Sequence, residues 1–317
     1  MLDDTIEVTV GDLVDEAIDI KRFVLHRTGN LDFPTWTPGA HIDVLFAEGL
    51  VRQYSLCGDP HRADIWEIAV LHTGESRGAS HYLHTQINIG DRLSIRGPRN
   101  NFKFNLDSSL RFLAAGVGIT PIISMIRAAH SADVKWRLDY ISRSRKRMAF
   151  LEELESYSSN VVVHASDEGR VFKLKHYLID TGGVYGAPLY ACGPARLLDE
   201  LTTMSETWPE DYLHIERFRP KSDASLPDRH SFTVNFALSG VTAQVNQRET
   251  ILDVAEQSGI LVVSSCREGT CGTCETDIIE GEADHRDSVL SAAEQAQQRT
   301  MMICCSRSKG SNLVLDL

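Results

Sequence analysis

Basic residues are in the minority in this chain of 317 residues: 32 Lys and Arg stand against 44 Asp and Glu, a net charge of −12. A nucleic-acid-binding protein needs a basic surface for the phosphates, so nucleic acid is not expected as a partner. Apolar runs of membrane-spanning length are also missing, and the acidic, alternating start MLDDTIEVTV is unlike a signal peptide. We therefore expect a cytoplasmic protein that contacts no membrane.

Cysteine is scarce, and its number is odd, because the chain has 7 Cys. A reducing cytosol disfavours structural disulfides, so clustered thiols in such a protein are expected to bind metal or to act in catalysis. Three of the cysteines are crowded into the stretch SCREGTCGTC at 265–274. This stretch is the main clue to function.

Cys266, Cys271 and Cys274 have the spacing C-x4-C-x2-C, and Cys304 follows after a long interval. This spacing is typical of a plant-type [2Fe–2S] cluster, in which three thiolates lie on one loop and the fourth is distant. Structural zinc favours two close pairs of ligands, and a redox C-x-x-C needs no third thiol, so both alternatives fit less well. Cys305 is the spare thiol, and its side chain is expected to point away from that of Cys304 in a strand.

The pattern of predicted strands and helices changes twice along the chain. Short alternating strands with frequent turns predict a closed antiparallel β-barrel over 1–105. Strands that alternate with helices predict a doubly wound, mainly parallel sheet over 106–222. A polar stretch with two prolines at 220–229 separates these from a third domain at 231–317. The fold class is therefore multidomain, α/β and β.

A glycine-rich turn follows the first strand of the second domain and precedes a helix. It contains Gly116, Gly118, Thr120 and Pro121. Glycines allow the backbone to approach a pyrophosphate, and the N-terminus of a helix favours its charge. A second turn, Cys192-Gly193-Pro194, ends a later strand of the same sheet. We expect these turns to bind a nicotinamide dinucleotide, with Cys192 near the nicotinamide ring.

The choice between NADH and NADPH stays open at this stage. Ser142, Arg143 and the basic run 143–147 follow the second strand, where the adenosine ribose is expected. The run suits a 2′-phosphate, but a solvated loop explains it equally well. Asp139 has the distance from the glycines that is expected of an NADH ribose ligand, although it falls within the predicted strand. Among the 12 His, His81 and His84 are one helical turn apart without a third ligand, so both are predicted to be surface residues.

The barrel segment has the motif R-x-Y-S at Arg52–Ser55 and the stretch SRGAS at 76–80. With the nucleotide turn and the cysteine loop in this order, the chain resembles the phthalate dioxygenase reductase family, which includes vanillate demethylase reductases, within the ferredoxin–NADP reductase superfamily. The resemblance covers essentially the whole chain and implies a C-terminal β-grasp ferredoxin domain. Gln53 and Ala79 stand where related members often have Thr and Gly.

The resemblance also implies the cofactors and the residues that hold them. FMN is expected to contact Arg52, Gln53, Tyr54, Ser55, Ala69, Val70, Leu71, Arg77, Gly78, Ala79, Ser80, Thr120 and Phe218. NADH, or NADPH, is expected to contact Gly116, Gly118, Thr120, Pro121, Ser142, Arg143, Cys192, Gly193 and Pro194. The cluster ligands are expected to be Cys266, Cys271, Cys274 and Cys304.

The implied reaction passes a hydride from NADH to FMN and single electrons through the [2Fe–2S] cluster to a Rieske-type terminal oxygenase in aromatic catabolism. The chain contains no Rieske motif, so the oxygenase would be a separate protein. Two alternatives stay open: an FAD-dependent NAD(P)H reductase that serves another acceptor, such as a diiron oxygenase, and a non-enzymatic redox sensor or zinc-stabilised interaction module. Acidic residues near the cluster steer a basic partner or form a plain solvated surface; they are Glu268, Glu275, Asp277, Glu280 and Glu282.

Overall fold

The structure is a computed structural model that describes residues 5–29, 31–74, 78–107, 109–183, 186–220 and 230–317. The chain forms two compact units, one ending at Glu216 and the other running from Arg217 to Leu317. In the described ranges, no helix combines the length and the hydropathy needed to cross a membrane. The three domain boundaries expected from the sequence stay a prediction.

The first unit begins with six antiparallel strands whose inward side chains are apolar, as Val8 and Val10 illustrate. They are β1 (Ile6–Ala17), β2 (Ile20–Arg27), β3 (His41–Leu45), β4 (Val51–Ser55), β5 (Ile65–Leu71) and β6 (Arg92–Arg99), in the order β4-β3-β6-β1-β2-β5. A bridge between Leu56 and Ile68 connects the chain just after β4 to β5 and closes the sheet. The predicted barrel is therefore confirmed, and helix α1 (Ala79–Thr85) follows β5.

The rest of the first unit alternates strands and helices. The elements are β7 (Ser109–Ala115), α2 (Ile119–Ser131), β8 (Lys135–Ser142), α3 (Leu151–Glu155), β9 (Val161–Ala165), α4 (Leu174–Asp180), β10 (Leu189–Cys192), α5 (Ala195–Met204) and β11 (Leu213–Glu216). The strands are parallel and lie in the order β11-β10-β7-β8-β9. Strands buried on both faces lose their alternation, which explains why Leu110 to Ala115 are all buried. The doubly wound sheet is confirmed.

In its described residues, the second unit contains a mixed sheet and two helices. Its elements are β12 (Phe232–Phe236), β13 (Val241–Val245), α6 (Ile251–Gln257), β14 (Glu275–Glu280), β15 (Ala283–Asp284), α7 (Ala292–Gln297), β16 (Thr300–Met302), β17 (Arg307–Ser308) and β18 (Asn312–Leu315). Five strands lie in the order β13-β12-β18-β14-β16, and β15 pairs with β17. Thr250 caps α6 by accepting a hydrogen bond from the Asp253 N–H. The long connection between α6 and β14 contains the three-cysteine loop.

Candidate functional site

The two nucleotide turns lie against each other. β7 and β10 are neighbours in the sheet although two strands separate them in sequence, so the turns after them meet at the point where the strand order reverses. Gly118 presses on the backbone of Cys192 so closely that an added Cβ would overlap the Cys192 carbonyl oxygen. A Cβ on Gly193 would lie 2.8 Å from the Cβ of Ala115. Both glycines are therefore required by the mutual approach of the two turns.

The first turn is fixed by its own hydrogen bonds. Gly116 has a φ of +57°, a left-handed conformation that favours glycine. The Thr120 hydroxyl donates to the carbonyl oxygen of Val117 at 3.0 Å, and Thr120 and Pro121 are both buried. The geometry thus gives the Thr120 side chain a role within the turn. Its expected contacts with flavin and nucleotide stay a prediction.

Glu216, a residue that the sequence interpretation missed, connects the barrel motif to the second turn. It ends β11, is paired in register with Cys192 on β10, and its carboxylate accepts a hydrogen bond from the Ser55 hydroxyl at the end of β4. Burial raises the pKa of Glu216 to about 8, against the weaker opposing effect of the Ser55 hydrogen bond. Burial, followed by the nearby Glu216 carboxylate, also raises the pKa of the Cys192 thiol. Ser55, Cys192 and Glu216 therefore converge on one enclosed point.

This point fits a bound flavin and nicotinamide. The Oε2 atom of Glu216 is buried and has no hydrogen-bond partner in the described part of the chain. A buried carboxyl oxygen without a partner is costly, so a polar group of a ligand is the expected partner. The only sequence signal for Glu216 was its place two residues before Phe218, the expected flavin aromatic.

The other expected flavin residues lie on β4, on β5 and at the start of α1. Side chains alternate along β5, so Ala69 packs into the core of the parallel-sheet region and Val70 into the barrel core. Gly78 precedes α1 with a φ of +102°, and an added Cβ there would meet open space. The Ser80 hydroxyl accepts a hydrogen bond from the N–H of Thr73 at 3.5 Å, which joins the start of α1 to the end of β5.

Arg77, Phe218 and Gln53 are also predicted to contact the flavin. Arg77 lies outside the described residues. Phe218 belongs to the second unit, where it is 42% exposed, and its contact with the flavin stays a prediction. On β4 the Gln53 side-chain amide donates to the Asp43 carboxylate at 3.2 Å, and that carboxylate also pairs with Arg99 at 2.5 Å. Gln53 therefore has a partner within the barrel.

The interpretation of Asp139 as a ribose ligand is not supported, because its carboxylate already has partners. Asp139 is 1% exposed. Its carboxylate accepts a hydrogen bond from Nε of Arg137 at 2.8 Å and another from Nε2 of His164 at 2.8 Å. Burial opposes ionisation, but these two hydrogen bonds prevail and lower the pKa of Asp139. An ionised carboxylate that is enclosed by two donors stabilises β8 against β9, and it is not presented to a ribose.

Much of the basic run after β8 is also engaged. Arg145 pairs with Glu168 at 2.9 Å, and Arg147 pairs with Asp19 at 2.5 Å. The loop after β9 lies beside the loop after β8, because the Asp167 N–H donates a hydrogen bond to the carbonyl oxygen of Arg143 at 3.0 Å. Two of the four cations of the run are thus matched by carboxylates, and acidic side chains lie beside the expected ribose position.

In the second unit, all four predicted cluster ligands come together. The seven cysteines of the chain are free thiols, and Cys271, Cys274 and Cys304 are buried while Cys266 is half-buried. Cys266 hydrogen-bonds to the thiols of Cys271 and Cys304, and Cys274 hydrogen-bonds to that of Cys304. These thiol–thiol hydrogen bonds lower the pKa of Cys266 and Cys274 and raise that of Cys271 and Cys304. The Cys304 thiol comes from the turn after β16, and its role as the fourth ligand stays a prediction.

The loop backbone fits the charge of thiolate ligands. The N–H groups of Glu268 and Thr270 donate to the Cys266 sulfur at 3.3 and 3.4 Å, and the Thr273 N–H donates to the Cys271 sulfur at 3.5 Å. No three or more His, Cys, Asp or Glu among the described residues surround a single metal position. A [2Fe–2S] cluster has two irons that share four thiolates, so the four thiols need not converge on one point. These residues fit the cluster.

The expectation that Cys304 and Cys305 point apart in a strand is wrong. Strand β16 ends at Met302, and Cys304 and Cys305 lie in the turn that follows. The Cys305 thiol contacts the cluster loop, because an added Cβ on Gly269 would overlap its sulfur. It also hydrogen-bonds to the Cys304 thiol. A turn replaces the alternation of a strand, and both side chains reach the loop.

Comparison with known proteins agrees with this geometry. Residues 234–309 match the family described as the 2Fe-2S iron-sulfur cluster binding domain. The chain is 38% identical to the carnitine monooxygenase reductase subunit of Escherichia coli (strain K12) over 98% of both chains. It is 35% identical to the phthalate 4,5-dioxygenase oxygenase reductase subunit of Pseudomonas putida, over 95% of this chain and 93% of that protein.

Two solved structures extend the comparison. The structure of phthalate dioxygenase reductase, described as modular for electron transfer from pyridine nucleotides to [2Fe–2S], matches 99% of this chain and 98% of that one, with 32% identity and a TM-score of 0.69. An intact type IV self-sufficient cytochrome P450 monooxygenase matches 99% of this chain with 40% identity and a TM-score of 0.90. This chain spans 41% of the length of that monooxygenase.

Proposed function

The chain belongs to the phthalate dioxygenase reductase family, and from this membership we propose that it is the NADH-dependent reductase component of a multicomponent oxygenase system. The observation that supports this best is the convergence of Glu216 with Ser55 of the predicted flavin motif and Cys192 of the predicted nicotinamide turn. Membership confirms the resemblance drawn from the sequence, the oxidoreductase class, and the cofactor set of FMN, [2Fe–2S] and NADH.

The hydride step belongs to the first unit. A bound flavin supplies chemistry that accepts two electrons and releases them one at a time. The protein's part is to hold the two rings together and to exclude water. The Ser55 hydroxyl and the Glu216 carboxyl lie at the meeting point, and the raised pKa of about 8 keeps that carboxyl protonated at neutral pH. If a flavin binds there, Glu216 would hold a proton on its carboxyl group beside the Ser55 hydroxyl.

The one-electron step belongs to the second unit. Cys266, Cys271, Cys274 and Cys304 would hold the cluster, and the N–H groups of the loop stabilise the charge on the sulfurs. Hydrogen bonds to the sulfurs are among the features by which a protein sets the reduction potential of such a cluster. Cys266 is more exposed than the other three ligands, which makes its side of the loop the side for electron exit.

NADH is the nucleotide that the ribose region favours. A 2′-phosphate would meet Glu168 and Asp167, and the Arg145 and Arg147 guanidinium groups are already paired with carboxylates. Two negative groups close together repel each other, and this repulsion weakens the binding of NADPH but not of NADH, which has no 2′-phosphate. The preference for NADH rests on these ion pairs and not on a single ribose ligand, because the Asp139 carboxylate is already hydrogen-bonded to Arg137 and His164.

The acceptor is an oxygenase component, and we infer a Rieske-type one. The similar proteins include a reductase subunit of a phthalate dioxygenase, and also a part of a cytochrome P450 monooxygenase, so a haem oxygenase is the competing acceptor. Of the five acidic residues that the sequence analysis names near the cluster, four are exposed, and they suit a partner with a basic docking surface; they are Glu275, Asp277, Glu280 and Glu282.

Anaerobic titration of the purified holoprotein with NADH tests this function. We expect the flavin and cluster absorbance bands to bleach in sequence with NADH, and far less readily with NADPH. Absence of any nicotinamide-dependent bleaching would support a redox sensor or a zinc module instead. Chromatography of the extracted flavin then separates FMN from FAD, and FAD would favour the alternative reductase.

The acceptor needs its own experiment. Adding candidate oxygenase components to the reduced holoprotein under anaerobic conditions measures the rate of electron transfer by stopped-flow absorbance. Rapid reduction of a Rieske component, with a P450 component reduced slowly, would support the inference. The reverse order of rates would contradict it and leave the reductase function intact.

A further inference from the structure

Three histidines that the proposed function does not use lie together where β5 ends and α1 begins. The Nε2 atom of His72 lies 3.4 Å from the Nδ1 atom of His81. The ring of His72 also stacks on that of His84, with centroids 5.1 Å apart. The sequence brings only His81 and His84 together, one helical turn apart. The fold adds His72 from the strand, so the earlier interpretation of two isolated surface residues is incomplete.

We propose that His72 and His81 form a binding site for a divalent transition-metal ion such as Zn²⁺, with water as the remaining ligands. Zinc binds imidazole nitrogen at about 2.0–2.1 Å in a tetrahedral arrangement, which places two nitrogens on one ion about 3.3–3.4 Å apart. The observed separation of 3.4 Å equals this edge length. An ion therefore fits between the two nitrogens with only a small movement of the rings.

His84 orients the pair. Its Nε2 atom lies 2.8 Å from the carbonyl oxygen of Val70, which makes Nε2 the nitrogen that carries a proton. The His84 ring also stacks on His72 and holds that ring in place. Hydrogen-bonded neighbours that fix the orientation of a ligand ring are a regular feature of metal-binding histidines.

Among the described residues, charges of both signs lie near the site. Lys21 opposes a cation, but its ammonium group donates to the carbonyl oxygen of His84 at 3.2 Å. Asp15 acts on His84 with the opposite sign and favours a cation. His81 is exposed and His72 half-buried, so water and ions reach the pair. Two imidazoles with water suit Zn²⁺, Cu²⁺ or Ni²⁺ and not Mg²⁺ or Ca²⁺, which prefer oxygen ligands.

A bound ion would join the end of β5 to the first turn of α1. Ser80 already accepts a hydrogen bond from Thr73 across the same junction. Because Val70 and Ser80 are expected flavin contacts, we also expect the metal to slow release of the flavin. This second effect rests on the proposed function, whereas metal binding itself does not.

Isothermal titration of the holoprotein with ZnCl₂ tests the site. We expect one site whose affinity falls at least tenfold in His72→Gln and in His81→Gln, and is unchanged in the control His176→Gln, an exposed histidine of α4. His81→Cys should restore binding, because a thiolate is also a zinc ligand. MgCl₂ should give no binding at this site.

Unchanged zinc affinity in both glutamine variants would overturn the proposal and leave a plain hydrogen bond between two imidazoles. A variant that folds poorly is recognised by its tryptophan fluorescence, and His81→Cys then decides the question. In parallel, Zn²⁺ should raise the thermal midpoint of the first unit in the wild type and in the control, and not in His81→Gln. Failure of these arms would leave NADH-dependent bleaching untouched, so the proposed function is judged separately.

Discussion

The buried carboxyl group of Glu216 should make the first unit less stable as the pH rises. Burial raises its pKa from the ordinary 4.5 to about 8, although Ser55 donates a hydrogen bond to it. Between these values the folded state keeps a proton that the unfolded state has released. Stability therefore falls with increasing pH across this window and is constant above it. Glu216→Gln keeps the size and the Ser55 hydrogen bond and removes the ionisation.

The size of the effect follows from the difference between the two pKa values. At about 1.4 kcal/mol for each pKa unit, ionisation costs the folded state about 3 kcal/mol at pH 7 and roughly 5 kcal/mol at pH 9. For a unit of this size, about 2–4 °C in thermal midpoint corresponds to 1 kcal/mol. The Gln variant should therefore melt about 10 °C above the wild type at pH 7, and further above it at pH 9.

Tryptophan fluorescence is a suitable assay, because all 4 Trp lie in the first unit. Thermal midpoints of the wild type, Glu216→Gln and the exposed control Glu152→Gln are measured from pH 5 to 9. The wild type and Glu216→Gln should converge near pH 5 and separate above it, while the control follows the wild type. Parallel curves for wild type and Glu216→Gln over the whole range would refute the buried, protonated carboxyl.

Three further predictions concern the cluster and the nucleotide. The Cys304→Ser variant should lose most of its iron and acid-labile sulfide, whereas Cys305→Ser should keep both. Loss of iron and sulfide in Cys305→Ser alone would make Cys305 the fourth ligand. Gly269→Ala should lower cluster content and destabilise the second unit by about 1–2 kcal/mol or more, because its φ of +69° is strained for Ala and the Cβ overlaps the Cys305 sulfur. Gly240→Ala, at φ +66° with open space around it, is the matched control, and equal losses in the two variants would argue against the sulfur contact. Glu168→Gln frees Arg145 beside the expected ribose position. It should raise kcat/KM for NADPH by about threefold to tenfold with little change for NADH, as measured by ferricyanide reduction. Equal changes for both nucleotides would place the loop away from the 2′ position.

The sequence predicts those parts of the site that depend on spacing along the chain. The cysteine loop has its ligands within nine residues, and the nucleotide turn lies between a strand and a helix, so both are recognisable without tertiary contacts. Glu216 was missed, because a carboxylate at the end of a short strand looks like a surface residue until β11 is placed beside β10 and near β4. The sequence leaves the role of Asp139 open for the same reason, since its partner His164 comes from the neighbouring strand. The direction of the Cys305 side chain depended on where β16 ends, and strand ends are poorly fixed by sequence alone.

The same tertiary contacts explain why particular glycines are needed at both predicted cofactor sites. Gly118 is required where the turn after β7 presses on the Cys192 backbone, and Gly269 where the cysteine loop meets the Cys305 thiol. In each case one turn approaches another through a position that has no room for a side chain, so the glycine fixes the distance between the two turns. At Gly269 the left-handed φ adds a second requirement, while Gly118 needs only the space. Substitution at Gly118 should therefore act through the position of Cys192 against Glu216, and at Gly269 through the hydrogen bonds to the cluster sulfurs.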